Sequence, residues 1–220
     1  MDGITLRPVE PLSGGQCLCV FGSGLSGKTY LLRASIRAAH PAQSFLVYDF
    51  GQHYGPVCDR SVEGVRELAA ALPWLLSAPA RIQVLSGGDD PAAEVVALCR
   101  LAATLRRTTV VVDEADVVLE NCWSEQLKPI RPLISTGRHK GSGLWVGAKR
   151  PADVLKSLIG QARMLVARPT DAATAEYFRK VFGEVDWTRL AEHEFYLLFE
   201  GVREGRVRVN ADGRLEVREP

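Results

Sequence analysis

Gly22, Gly27, Lys28 and Thr29 carry the spacing G-x-x-x-x-G-K-[ST] within "VFGSGLSGKT", residues Val20 to Thr29, a segment with one cation and no anion. That spacing is a P-loop. Glycines let the backbone curl so that successive N–H groups face a phosphate. A helix opening at Lys28 adds more free N–H groups and the positive end of its dipole. On this reading Gly22, Ser23, Gly24, Leu25, Ser26, Gly27, Lys28, Thr29 and Tyr30 cradle a nucleotide. Lys28 bridges the β- and γ-phosphates and the Thr29 hydroxyl binds Mg²⁺.

"TTVVVDEAD" offers the second half of such a site. A buried strand would deliver Asp113 to the carboxyl edge of a sheet, where ligands of open α/β sheets bind. Asp113 suits a Walker B carboxylate that serves Mg²⁺ directly or through water, and Glu114 suits a base that polarises the attacking water. The alternative is an acidic helix cap, since Asp113, Glu114 and Asp116 precede "VVLEN". An adjacent Asp-Glu pair favours hydrolysis over transfer to a small acceptor. The chain has no N-K-x-D guanine signature, so ATP and Mg²⁺ are the expected cofactors.

These residues need strands that end at one edge. Short apolar runs predict strands at "QCLCVF", Ser44 to Asp49, Arg81 to Leu85, Thr108 to Asp113, Gly143 to Ala148 and Ala162 to Ala167. Most are continuous rather than alternating, as in a parallel sheet covered on both faces. Helical patterns lie at Lys28 to Ala39, Val62 to Leu72, Pro91 to Arg106 behind an Asp90 cap, Cys122 to Ile134, and Pro151 to Leu158. The expected fold class is therefore α/β, a P-loop NTPase (RecA-like) three-layer sandwich with a mostly parallel sheet. A capped helix ending at Gly183 and a β-rich tail with a turn at Asp212-Gly213 would follow it. One domain over 1–220 is expected, with a core at about 16–170 and an extension at about 171–220.

With 220 residues, 46% hydrophobic and 24% charged, and a net charge of +1, the composition is that of a soluble globular chain. Between Lys128 and Arg168 stand Lys128, Arg131, Arg138, Lys140, Lys149, Arg150, Lys156, Arg163 and Arg168 against the single acid Asp153. A segment of that balance can meet phosphates. The five cysteines, Cys17, Cys19, Cys58, Cys99 and Cys122, form no C-x-x-C pair. They read as small apolar core residues in a reducing, cytoplasmic setting. Neither an export signal nor a membrane-spanning run is found, so no membrane insertion is expected.

Over roughly residues 16 to 170 the sequence resembles the HerA/FtsK superfamily of DNA-pumping ATPases. Within it, the chain is similar to the small genome-packaging ATPases of tailless, internal-membrane double-stranded DNA viruses. "GSGLSGKT", "FLVYDFGQHYG", "VVVDEAD" and "STGRHKGSGLWVGAKRPADV" carry the resemblance. It implies that Arg138 acts across a subunit interface and that Lys149 stands at a sensor position where the family usually has glutamine. It also implies double-stranded DNA as partner and a homo-oligomeric ring, a pentamer or hexamer. A capsid or membrane-vertex protein would be a further partner, in the host cytoplasm or at a packaging vertex of the virion.

Arg138 has a physical argument of its own, because glycines flank it in "TGRHKGSG" and would let its guanidinium project outward. Its alternatives are a DNA phosphate contact and a solvated loop charge. His139 reads as solvated, Trp145 as core, and Asp49 as either near the nucleotide or a turn cap. Two other functions compete. A P-loop small-molecule kinase would need an acceptor pocket, and an AAA+-like loader would carry a helical lid where this chain has a β-rich tail.

Overall fold

The apolar runs pair as parallel strands in a computed structural model that describes residues 15–119, 128–154, 156–191, 193–199, 202–210 and 214–218. In chain order the elements are β1 (Leu18–Phe21), α1 (Lys28–Ala38), β2 (Ser44–Tyr48), β3 (Arg60–Glu63), α2 (Gly64–Ser77), β4 (Arg81–Leu85) and α3 (Pro91–Thr104). There follow β5 (Thr108–Val112), α4 (Ala115–Val118), α5 (Arg131–Thr136), β6 (Gly143–Ala148), α6 (Lys156–Ile159) and β7 (Arg163–Ala167). The last are α7 (Ala172–Phe182), β8 (Glu194–Phe199), β9 (Val202–Val209) and β10 (Leu215–Arg218).

Among the described residues these strands form one ten-stranded sheet, ordered β10-β9-β8-β7-β1-β6-β5-β2-β4-β3. From β3 to β7 every pairing is parallel; β8, β9 and β10 add on as antiparallel strands. The central strands β1, β2, β5 and β6 are buried along their whole length, which explains their uncharged, mostly apolar sequences.

The two faces differ in cover. On one, Leu68 of α2, Leu98 of α3, Leu133 of α5 and Phe178 of α7 pack against Phe21, Val110, Val112 and Val146. On the other, Leu31, Leu32 and Ile36 of α1 meet Val20, Val47, Val111 and Trp145. Trp145 is fully buried against Phe45, and its indole N–H donates to the Gln16 carbonyl at 3.0 Å. Cys17, Cys19 and Cys99 lie in the core, where burial pushes their thiols up. Cys122 lies outside the described residues.

Three expectations are corrected. The helix foreseen at Val62 to Leu72 begins at Gly64 and runs to Ser77, because Arg60–Glu63 is an edge strand on β4. Only Val62 of β3 is buried, so the strand is too polar to be read from its pattern. The pattern at Pro151 to Leu158 breaks into a 3₁₀ turn, Pro151–Asp153, and the short α6, with Val154 extended between them. Of the helix foreseen at Cys122 to Ile134, residues 122–127 lie outside the described residues, and the rest is a 3₁₀ turn at Lys128–Ile130 leading into α5. The Asp212-Gly213 turn also lies outside them.

Caps follow the sequence closely. Asp90 accepts from Ala93 N at 3.0 Å with Pro91 next in line, and Asp171 accepts from Thr174 N at 2.8 Å. Gly183 ends α7 with φ of 78°. Phe178 joins that helix to the sheet and meets Phe182 edge-on and Trp187 at a tilt, and Trp187 in turn meets Tyr196 of β8. Truncating it to alanine removes about 3–5 kcal/mol of packing. Phe178→Ala is therefore expected to lower a single calorimetric melting transition by roughly 10 °C. Two separate transitions in the wild type would show instead that the antiparallel strands fold apart from the parallel core.

Candidate active site

At the carboxyl ends of β1, β5 and β6, a cleft of about 420 Å³ is lined by Gly24, Ser26, Gly27, Lys28, Thr29 and Tyr30 on one side. Asp113, Glu114, Asp116 and Lys149 line the other. Gly27 adopts φ of 90° where the loop turns into α1, a conformation that side chains resist. No acid stands in the first turn of α1, so its free N–H groups meet no internal anion. The Ser23 and Ser26 hydroxyls are buried without a protein partner, as suits a loop built to surround an oxyanion.

Lys28 Nζ donates to the carbonyls of Gly22 and Ser23 at 2.7 and 2.9 Å, which leaves its third N–H for a phosphate oxygen. Burial is the largest influence on this ammonium and lowers its pKa; Asp113, Asp116 and Glu114 oppose that, and Lys149 adds to it. Thr29 Oγ1 donates to Asp113 Oδ2 at 2.6 Å, and the Glu114 backbone N–H donates to Asp113 Oδ1 at 3.0 Å. A hydroxyl that gives its proton to a buried carboxylate keeps a lone pair for a hard cation. This donor set fits Mg²⁺, which is held through one or two protein groups plus phosphate oxygens rather than by a protein cage. Among the described residues no group of three His, Cys, Asp or Glu side chains forms such a cage.

Glu114 follows β5 in the left-handed conformation, with φ of 53° and ψ of 42°. It precedes α4, yet its side chain does not cap that helix. It lines the cleft and is exposed there, as the base reading requires. Lys149, just past β6, lies in the same cleft with Nζ 3.3 Å from Asp116 Oδ2. Leu25 belongs to the loop but is 98% exposed.

Arg138 is the one proposed catalytic residue that the fold keeps away from the cleft. It is exposed in the 3₁₀ turn Gly137–Lys140 before β6, whereas Lys149 follows that strand. Six strand residues span about 20 Å, so Arg138 stands at the opposite edge of the sheet. The basic segment is divided likewise: Arg138, His139 and Lys140 lie at the amino edge, and Lys149, Arg150 and Arg168 follow the carboxyl ends of β6 and β7.

Four further residues reach the site without having been foreseen there. Arg33, one turn after Thr29 on α1, lines the cleft with its Nε buried and unpartnered. The i, i+4 spacing was its available signal. Asp116 holds Lys149, and His53 lines the cleft from the turn after β2. Tyr54 is fully buried, and its phenol donates to Asp113 Oδ2 at 3.0 Å. Asp49 is buried and accepts from His53 N, Tyr54 N and Gln83 Nε2 at 2.9, 2.7 and 2.6 Å.

Gly147 on β6 is the spacer of this site. It pairs with Val20 of β1, and a Cβ there would collide with Asp113 Oδ1 and lie 3.2 Å from Leu32 Cδ1. Gly147→Ala is expected to cost about 1–3 kcal/mol through overpacking. It should also weaken Mg²⁺-dependent nucleotide binding in calorimetric titration. Gly24→Ala, whose new carbon meets nothing within 4 Å, should leave the melting temperature unchanged.

No protein-family model and no curated protein sequence matches the chain. Solved structures do. The genome packaging NTPase B204 from Sulfolobus turreted icosahedral virus 2, in complex with AMP, matches with a TM-score of 0.61 at 16% identity, over 93% of this chain and 97% of that one. B204 of Sulfolobus turreted icosahedral virus, a DNA-packaging ATPase, gives 0.60 at 16% identity over 95% and 99%. The cytoplasmic domain of the type VII secretion ATPase EccC from Thermomonospora curvata gives 0.53 at 14% identity, over 93% of this chain and 23% of that one. At such identities the likeness is one of fold, and the chain has the mostly parallel α/β fold of the P-loop ATPases.

Proposed function

We propose that this chain is an ATP-hydrolysing motor that translocates double-stranded DNA, and that its role is to package a viral genome into a preformed capsid. The observation that carries the reading is the convergence of Lys28, Thr29, Asp113 and Glu114 on one cleft at the carboxyl edge of the sheet. The near full-length likeness to B204, a genome packaging NTPase solved with AMP, AMPPCP and ATP-gammaS, supports both the nucleotide and the role.

Each side chain has a part in this scheme. The P-loop N–H groups and Lys28 hold the β- and γ-phosphates. Thr29 and the Asp113 carboxylate would hold Mg²⁺, which would supply neutralisation of the phosphate charge. Glu114 orients and polarises the attacking water. Lys149, paired with Asp116, senses the γ-phosphate from the end of β6. Arg138 completes a neighbouring subunit's site, which its place at the far edge of its own sheet supports. Such trans action needs a neighbouring copy, which a homo-oligomeric ring, a pentamer or hexamer, would supply. The exposed basic residues on either side of β6 are candidates for DNA phosphates, and among the described residues no helix is long and apolar enough to cross a membrane. A capsid or membrane-vertex protein would anchor the motor during packaging.

ATP turnover measured with and without duplex DNA tests the reading. DNA should stimulate the wild type, whereas turnover indifferent to DNA would favour a kinase or loader. Lys28→Ala should lose at least about a hundredfold in turnover, since the transferring phosphoryl group loses its cation. Glu114→Gln should bind ATP and fail to hydrolyse it, and wild-type turnover in either variant would refute the site.

Arg138 is tested by mixing. Arg138→Ala and Glu114→Gln subunits, each inactive alone, should together regain part of the activity. At some interfaces an intact Arg138 then faces an intact Glu114. A dead mixture, alongside wild-type mixtures active in simple proportion to wild-type content, would place Arg138 in its own subunit's chemistry.

A further inference from the structure

Asp113 is held from two directions, and only one of them is the P-loop helix. Its Oδ2 accepts from Thr29 at 2.6 Å and from the Tyr54 phenol at 3.0 Å, while its Oδ1 accepts from the Glu114 backbone at 3.0 Å. A carboxylate offers about four lone-pair sites, so Oδ2 is filled and one site remains, on Oδ1.

Tyr54 is itself fixed. The Asp49 carboxylate takes its backbone N–H at 2.7 Å, takes that of His53 at 2.9 Å, and is steadied by Gln83 Nε2 at 2.6 Å. Gln83 Oε1 in turn accepts from the Ser61 hydroxyl. A hydrogen-bonded line thus crosses the sheet from edge strand β3 through β4 and the turn after β2 to the end of β5. Tyr54 is fully buried in the apolar cluster that also holds Val20, Leu31 and Val111, so the phenol has little freedom to turn away.

From this we propose that Tyr54 is a positioning residue for the magnesium carboxylate. It fills the second lone pair of Asp113 Oδ2 and so fixes the plane of the carboxylate beside Thr29, the other residue that would hold the metal. The proposal rests on the nucleotide reading of the cleft. A purely structural Tyr54 would matter to stability alone, whereas a positioning Tyr54 matters to the difference that the metal makes.

The test is calorimetric titration of AMPPCP into wild type and Tyr54→Phe, in EDTA and in saturating Mg²⁺, with Mn²⁺ binding in the presence of AMPPCP followed by electron paramagnetic resonance. Loss of one hydrogen bond to a charged acceptor corresponds to about tenfold. Tyr54→Phe should therefore cut the metal-dependent gain in affinity about tenfold, leave metal-free affinity within about twofold, and weaken Mn²⁺ binding in parallel. An unchanged metal-dependent gain overturns the proposal, and so does equal weakening with and without metal. Should Tyr54→Phe not fold, Asp49→Asn is measured in the same way. It loosens the anchor while keeping the phenol and should reduce the same gain to a smaller extent, so an unchanged gain there overturns the proposal as well. Wild-type protein that binds AMPPCP equally well with and without metal would refute the Mg²⁺ site itself, a result distinct from a normal wild type and an unaffected variant.

Discussion

The hydrogen bond from Thr29 to Asp113, 2.6 Å long, is the contact on which the arrangement of the site depends. It joins the start of α1 to the end of β5, although those elements follow strands that are not neighbours. β6 lies between β1 and β5, so the two side chains meet across a strand. Adjacent strands lie about 4.8 Å apart, and an intervening side chain on that face would fill the gap. Gly147 removes it. The strand order that separates the phosphate loop from the acidic strand is therefore matched by one residue without a side chain, and by a carboxylate buried enough to hold its hydroxyl partner.

Charge in the cleft is arranged around that contact. Lys28 loses solvation on entering the site, and the three carboxylates around it partly offset the loss. Lys149 pairs with Asp116 at 3.3 Å, which keeps a second cation in the cleft, where its charge opposes that of Lys28. Glu114 has the left-handed backbone conformation, which costs a non-glycine residue on the order of 1 kcal/mol or more. The strand, the 3.0 Å bond from its N–H to Asp113, and α4 hold it there. The result is a carboxylate exposed to the cleft immediately beside a buried one, and the two can act differently because their surroundings differ.

Sequence reading reached the strands that carry the chemistry because each is short, uncharged, mostly apolar and followed at once by residues that line the cleft. The glycine loop follows β1, Asp113 follows β5 and Lys149 follows β6. It missed β3, since an edge strand with one buried residue has no apolar pattern to read. It joined Pro151 to Leu158 into one helix because helical spacing does not reveal a break at an extended Val154. Tyr54 was illegible for a different reason. Its partner is 59 residues away, and "FGQHYG" reads as a turn in which any of several residues could face the core. Long-range pairing of polar atoms leaves no periodic trace. Arg33 was within reach, one helical turn past Thr29 and unable to avoid the same face.

The antiparallel strands β8, β9 and β10 read in sequence only as a β-rich extension, yet the structure makes them part of the phosphate loop's support. Among the described residues α1 is the helix that covers its face of the sheet, and β9 and β10 lie against it. Phe195, Leu197 and Val207 enter the same apolar cluster as Leu31, Leu32 and Ile36. His193, leading into β8, sits so close to the P-loop that a Cβ on Gly27 would lie 2.9 Å from its Nδ1. A residue other than glycine at position 27 would thus meet two penalties, one from its positive φ and one from this histidine. The C-terminal strands constrain the loop from outside while Asp113 constrains α1 from within, and the P-loop is held between them.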